Sequence, residues 1–166
     1  MGELLRVAAM GIGATLAMDA FSMALRRTAG IASLDYRLVG RWIGHLPSGR
    51  FVHDPIASSP SVRAEKWLGW GAHYMIGISF AWVFALLVSR TWFERPTAAT
   101  PILFGVATVV VPYFIMQPAL GFGIAASRTP SPMAARLKSL ATHTMFGVGL
   151  YLSALLTAAL VSERAA

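Results

Sequence analysis

Four apolar stretches of about twenty residues each constrain this chain more than anything else in it. A helix rising ~1.5 Å per residue needs ~20 apolar residues to cross a ~30 Å hydrocarbon core. Leu4 to Leu25, Trp67 to Ser89, Pro101 to about Gln117, and Ser139 to Ser162 all reach that length. Backbone amides in lipid must be satisfied within their own segment, so each stretch is predicted to be helical. Thr100 is placed to cap the third, with Pro101 at its first helical position. The expected fold is all-α: a polytopic membrane protein with four transmembrane helices, residues 1–166 forming a single membrane domain. Composition agrees. The chain is 56% hydrophobic and only 13% charged, about half the charged share of an ordinary soluble domain. Cysteine is absent, which excludes disulfides, thiolate metal sites and cysteine nucleophiles. The first apolar run is long enough to span and ends in no clear A-x-A-like site, so it reads as a span rather than a signal peptide.

The net charge of +7 is distributed as membrane topology requires and points to no nucleic-acid partner. The loop between spans one and two holds Arg26, Arg27, Arg37, Arg41, Arg50, Arg63 and Lys66. The loop between three and four holds Arg128, Arg136 and Lys138. The opposite side has Arg6, Arg90, Arg95 and Arg164. By the positive-inside rule both long loops are cytoplasmic and both termini lie outside. Trp92 and Phe93 then belong at the outer interface, Trp67 and Trp70 at the inner one.

The chain also resembles itself. PSVRAEKWLGWGAHYMIG (60–77) aligns without gaps to PSPMAARLKSLATHTMFG (130–147), matching His73 to His143 and Gly77 to Gly147. ATLAMDAFSM (14–23) aligns to ATVVVPYFIM (107–116). The reading is a tandem pair of two-helix hairpins, residues 4–89 and 100–162, both in the same orientation and related by an axis along the membrane normal. The first copy carries an insertion, and within it Leu34, Leu38, Trp42 and Leu46 recur every four residues. An amphipathic helix is expected over 33–46, capped by Ser33, its basic flank of Arg37 and Arg41 turned to anionic headgroups. Gly40 and Gly44 give it a small face for close packing. A helix that simply tiles the bundle is the alternative.

Asp19 is the one charged side chain between Val7 and Leu25. It shares a helix face with Gly11, Thr15 and Ser22. An ionisable residue at that depth is a functional hypothesis with a partner to be named; His73, His143 or a loop arginine is expected to fill that role. Its counterpart in the second repeat is Pro112, which should break the third helix and release a carbonyl. Asp19, His73, Gln117 and His143 are expected to line a cytoplasm-facing polar pocket, with Arg41, Arg50 and Arg128 at its mouth. The candidate ligands are a small anionic solute, an anionic lipid headgroup or a proton. This makes the protein a non-catalytic binding or transport unit without a cofactor, and transport through four spans would call for a homodimer. Two other readings stay open. One is a haem- or metal-binding redox protein built on the paired histidines, although no H-x3-H or H-E-x2-H spacing occurs. The other is a structural or assembly partner whose polar cluster fixes helix register.

GIGAT with the following Asp19, VGRWIGHLPSGRFVHD (39–54), GWGAHY (69–74), MQPALGFGIAASRTPSP (116–132) and the run from Arg136 through HTMFGVGLYL together resemble a bacterial family of integral membrane proteins, catalogued as domain of unknown function 2938. The resemblance spans nearly the whole chain. It implies a small inner-membrane protein with four spans and carries over no functional residues.

Overall fold

The computed structural model describes residues 2–162; Arg164, counted in the charge reading above, lies outside the described residues. The described residues form helices and loops, with no strand among them. The helices are α1 (Glu3–Ala29), α2 (Tyr36–His45), α3 (Glu65–Leu87), α4 (Arg90–Glu94), α5 (Ala99–Thr108), α6 (Gln117–Ala119) and α7 (Pro132–Ser162). Four helical segments are long and apolar enough to cross a membrane: Glu3–Ala29, Glu65–Leu87, Ala99–Ala119 and Pro132–Ala159. Their outer surfaces are apolar as well. Leu86, Leu103 and Leu156 are 83%, 68% and 67% exposed, an arrangement that costs little only where lipid replaces water. The protein is a membrane protein.

Several boundaries differ from the sequence reading. α7 begins seven residues before Ser139, because its first turns are polar and carry no hydropathy signal. Thr100 lies inside the third span, which starts at Ala99. The α2 cap is Asp35, whose carboxylate accepts from the Arg37 N–H; Ser33 sits too far upstream. Pro112 has no N–H for the carbonyl one turn earlier, and the break takes the form of a π-helical turn, Pro112–Met116, in which the Gln117 N–H reaches back to the Pro112 carbonyl.

The chain forms two compact units. Among the described residues, unit 1 comprises 2–32, 74–107 and 142–162. Its core is Val7, Met10, Ala14, Ala81, Phe84, Trp92, Phe146, Leu150 and Ala154. Trp92, expected at the membrane interface, is buried there and stands edge-on to Phe84 at 4.9 Å. Glycines let the helices of unit 1 approach. A Cβ on Gly11 would lie 2.6 Å from the Ile78 Cα, and one on Gly105 would lie 2.6 Å from the Gly147 nitrogen. Arg6 is held by Thr157 Oγ1 at 3.1 Å and the Phe93 carbonyl at 3.0 Å.

Unit 2 comprises residues 33–73 and 108–141. Here α2 crosses the start of α3 backbone to backbone. A Cβ on Gly40 would overlap the Glu65 carbonyl, and one on Gly69 would overlap the Tyr36 carbonyl. Gly44 rests on Val62 in the same way. The loops after α2 and after α6 close over Ile56, Leu120 and Ala126, all fully buried.

This crossing predicts a sharp contrast in thermal unfolding in detergent. Gly40→Ala and Gly69→Ala should each destabilise by about 1–3 kcal/mol, the cost of forcing a methyl group into packed backbone. Gly71→Ala, on the same helix with open space around it, should be neutral or stabilising by up to ~1 kcal/mol. Equal effects at all three positions would contradict the crossing.

Candidate functional site: a cleft between two loops

The site in unit 2 is built on a clamp. Arg41 donates from Nε to Glu65 Oε2 at 2.9 Å and from Nη2 to Oε1 at 3.1 Å. Its Nη1 donates to the carbonyls of Ala57 and Ser59, each at 3.1 Å. Glu65 Oε2 also accepts the Val62 N–H. Both side chains are only 15% exposed. A bidentate, mostly buried pair whose remaining donors are also used is a strong positional constraint. Arg41 is thus engaged by Glu65 and by the backbone of residues 57–59.

That clamp fixes the strand-like loop running back from Ile56. Its backbone pairs with the loop after α6: the His53 N–H donates to the Ala119 carbonyl at 2.9 Å and the Ile56 N–H to the Leu120 carbonyl at 3.1 Å. Gly121 permits this approach. Its φ is +86°, and a Cβ there would lie 2.6 Å from the His53 carbonyl oxygen. Beyond it the backbone turns through left-handed conformations at Gly123, Ala125 and Ala126. For the two alanines this costs roughly 1–2 kcal/mol apiece. Arg136 secures the turn by donating from Nε to the Ala125 carbonyl at 2.8 Å, and Tyr113 donates to the Arg136 carbonyl at 2.6 Å.

Between the two loops lies a cleft of about 400 Å³, lined by Val52, His53 and Asp54 on one side and by Pro118, Gly123, Ile124, Ser127 and Arg128 on the other. At its mouth Arg128 Nη1 meets Asp54 Oδ1 at 3.4 Å, with the two side chains 64% and 75% exposed. Such a long, solvated pair contributes at most ~1 kcal/mol, so the guanidinium is readily drawn to another acceptor. Behind the mouth His45 Nδ1 and His53 Nε2 are 2.8 Å apart, and both rings are buried. The second nitrogen of His53, Nδ1, is buried with no hydrogen-bond partner, as is Gln117 Oε1. Burial, followed by the charges of His45 and Arg50, holds His53 below the ordinary imidazole value; the nearby Ala119 carbonyl opposes this.

The seven residues expected to form one pocket divide between the units. Arg128 lines the cleft, Gln117 immediately precedes its Pro118, and Arg50 lies three residues before His53 and is exposed. His73, also in unit 2, pairs through Nε2 with the Tyr36 hydroxyl at 3.1 Å and stacks on that ring. Asp19 and His143 belong to unit 1. Asp19 Oδ2 accepts from the Tyr74 hydroxyl at 3.0 Å, and the His143 backbone abuts Gly105. Sequence reasoning passed over His45, His53, Asp54 and Tyr74. The signal available was HLPSGRFVHD, a polar, glycine- and proline-containing stretch with a histidine near each end. Among the described residues no group of three or more His, Cys, Asp or Glu is placed to hold a metal ion.

These features define an all-α membrane protein with four candidate spans and an ordered cleft in its loops. The family described as "Protein of unknown function (DUF2938)" matches residues 8–157, and the chain belongs to it. No curated protein and no solved structure matches the chain.

The depressed His53 makes a pH prediction. The unfolded chain binds a proton near 6.5, the folded chain only at lower pH. Stability is therefore complete above that value and is lost as pH falls below it. The unfolding temperature in detergent should drop between about pH 7 and about pH 5, and His53→Gln should flatten that drop. A His53→Gln profile as steep as wild type would assign the dependence to another group.

Proposed function

We propose that this protein is a non-catalytic membrane binding or transport unit that takes an anionic group, from a small solute or a lipid headgroup, in the cleft between residues 52–54 and 118–128. The observation that carries the reading is the exposed Arg128 guanidinium at the mouth of a cleft of about 400 Å³, joined to Asp54 by only a single long contact. Ser127 adds a hydroxyl to the same wall. Arg50 contributes positive charge from the neighbouring loop.

In this reading the cleft faces the cytoplasm, in a bacterial inner membrane with both termini periplasmic. The excess of positive residues in the two long loops supports that orientation. Exposed Trp67 and Trp70, with the Lys66 ammonium 5.6 Å from the Trp67 ring, support an interfacial position for the start of α3. α2 is then the amphipathic helix at the inner surface. In the tandem-hairpin reading the aligned Gly77 and Gly147 each pack on the first span of their own hairpin, at different registers: Gly77 on Thr15 of α1, Gly147 on Pro101 and Ile102 of the third span. Transport, as opposed to binding, would require a homodimer.

Binding is tested on the full chain in two arms, inorganic phosphate in detergent and phosphatidylglycerol in nanodiscs, by native mass spectrometry and calorimetry. Arg128→Gln should weaken binding about tenfold, ~1.4 kcal/mol, in the arm that carries the natural ligand chemistry. Arg95→Gln, an exposed arginine of unit 1, should leave it unchanged. Loss in the lipid arm alone identifies a headgroup, loss in both a free anion. Equal affinities for wild type and Arg128→Gln in both arms would overturn the reading.

A further inference from the structure

The buried His45–His53 contact has a chemistry that anion binding alone does not use. Two imidazole nitrogens 2.8 Å apart share one proton, since two lone pairs or two N–H groups would repel at that distance. Either tautomer of the neutral pair leaves His53 Nδ1 unsatisfied: a bare lone pair if His53 donates to His45, a stranded N–H if it accepts. His53 is 4% exposed, so water does not freely complete it. A further proton on the pair leaves both outer nitrogens, His53 Nδ1 and His45 Nε2, protonated, whichever ring owns the bridging proton, and preserves the contact. With both ring nitrogens of His53 protonated, Nε2–H still donates to His45 Nδ1, and Nδ1–H then needs an acceptor. The Ala119 carbonyl already accepts the His53 N–H; its second lone pair favours the charged ring but brings no negative charge. His53 lines the cleft, and a bound anion brings both an acceptor oxygen and the charge.

We propose that the His45–His53 pair is the proton site of the cleft: an anion binds there together with one proton, held on His53 Nδ1. This rests on the reading of the cleft as an anion site. The charges facing His53 make the coupling compulsory in sign. His45 faces it from α2, Arg50 and Asp54 from its own loop, and Arg128 from the opposite loop. The Gln117–Ala119 turn contributes an amide and a carbonyl but no titratable group. With two arginines nearby and one carboxylate, an imidazolium is disfavoured until negative charge arrives. Linkage then runs both ways: the anion raises proton affinity, and the proton raises anion affinity by the same factor. The anion and one proton then enter and leave the cleft together, the stoichiometry of proton-coupled anion movement.

Sulfate is the probe, because it does not itself titrate near neutrality. Calorimetric titration of the full-length protein in detergent, in buffers of different ionisation enthalpy, reads the protons taken up per sulfate. The expected result near pH 7.5 is uptake approaching one proton, with affinity rising up to tenfold per pH unit on acidification. His53→Gln, which keeps an acceptor for His45, should still bind sulfate but with no proton uptake. Histidine-labelled nitrogen NMR of the wild type, which needs no variant, should show one ring become imidazolium on sulfate addition. Sulfate binding that depends on Arg128 but takes up no proton would overturn this inference and leave the anion site standing. Absence of Arg128-dependent sulfate binding would overturn both.

Discussion

The contact of α2 with α3 at Gly40 and Gly69 is the constraint from which the rest of unit 2 follows. In lipid the hydrophobic effect does not draw helices together; close packing and hydrogen bonds do. Removing two Cβ atoms at one crossing lets backbone meet backbone there. The approach brings Arg41 within reach of Glu65, and the paired side chains then collect the carbonyls of residues 57 and 59. A segment that would otherwise be an open loop acquires a fixed course. Unit 1 uses the same device without the ion pair, at Gly11 against Ile78 and at Gly105 against Gly147.

A fixed loop is what places chemistry. His53 is held at its own N–H by Ala119 and at its ring by His45, while the opposite wall is shaped by Gly121 and the left-handed turn through Ala126. Strained backbone of this kind persists where surrounding contacts over-determine it, and here Arg136 and Tyr113 supply those contacts. The π-helical turn at Pro112–Met116 lies in the last part of the third span, just before the cleft residue Pro118. Such turns often occur at functional sites.

The sequence made the spans legible, because twenty apolar residues in a row leave the backbone few alternatives. It made the π-helical break legible as well, since proline's missing N–H is a local fact. The site was legible only in fragments. Arg41 counts as one positive charge among many until α2 is laid on α3, and only that crossing reveals Glu65 as its partner. Asp19 was expected to meet a histidine or an arginine. Tyr74, whose aromatic body reads as part of the apolar span, donates to it from a hydroxyl that the sequence did not single out. His45 and His53 meet through a loop, so no helical periodicity links them. Asp54 and Arg128 come from segments far apart in the chain, and only the backbone pairing of residues 53–56 with 119–120 brings those segments together.

The central claim is that the loop cleft is an anion site with Arg128 at its mouth and His53 at its floor. Crystals of the full chain grown with selenate, measured at the selenium absorption edge, test it most directly. The account predicts a selenium peak inside the cleft, with selenate oxygens in hydrogen-bond reach of the Arg128 guanidinium and of His53 Nδ1, and Asp54 displaced from Arg128. A cleft without a peak at saturating selenate, with the Arg128–Asp54 contact intact, would contradict it.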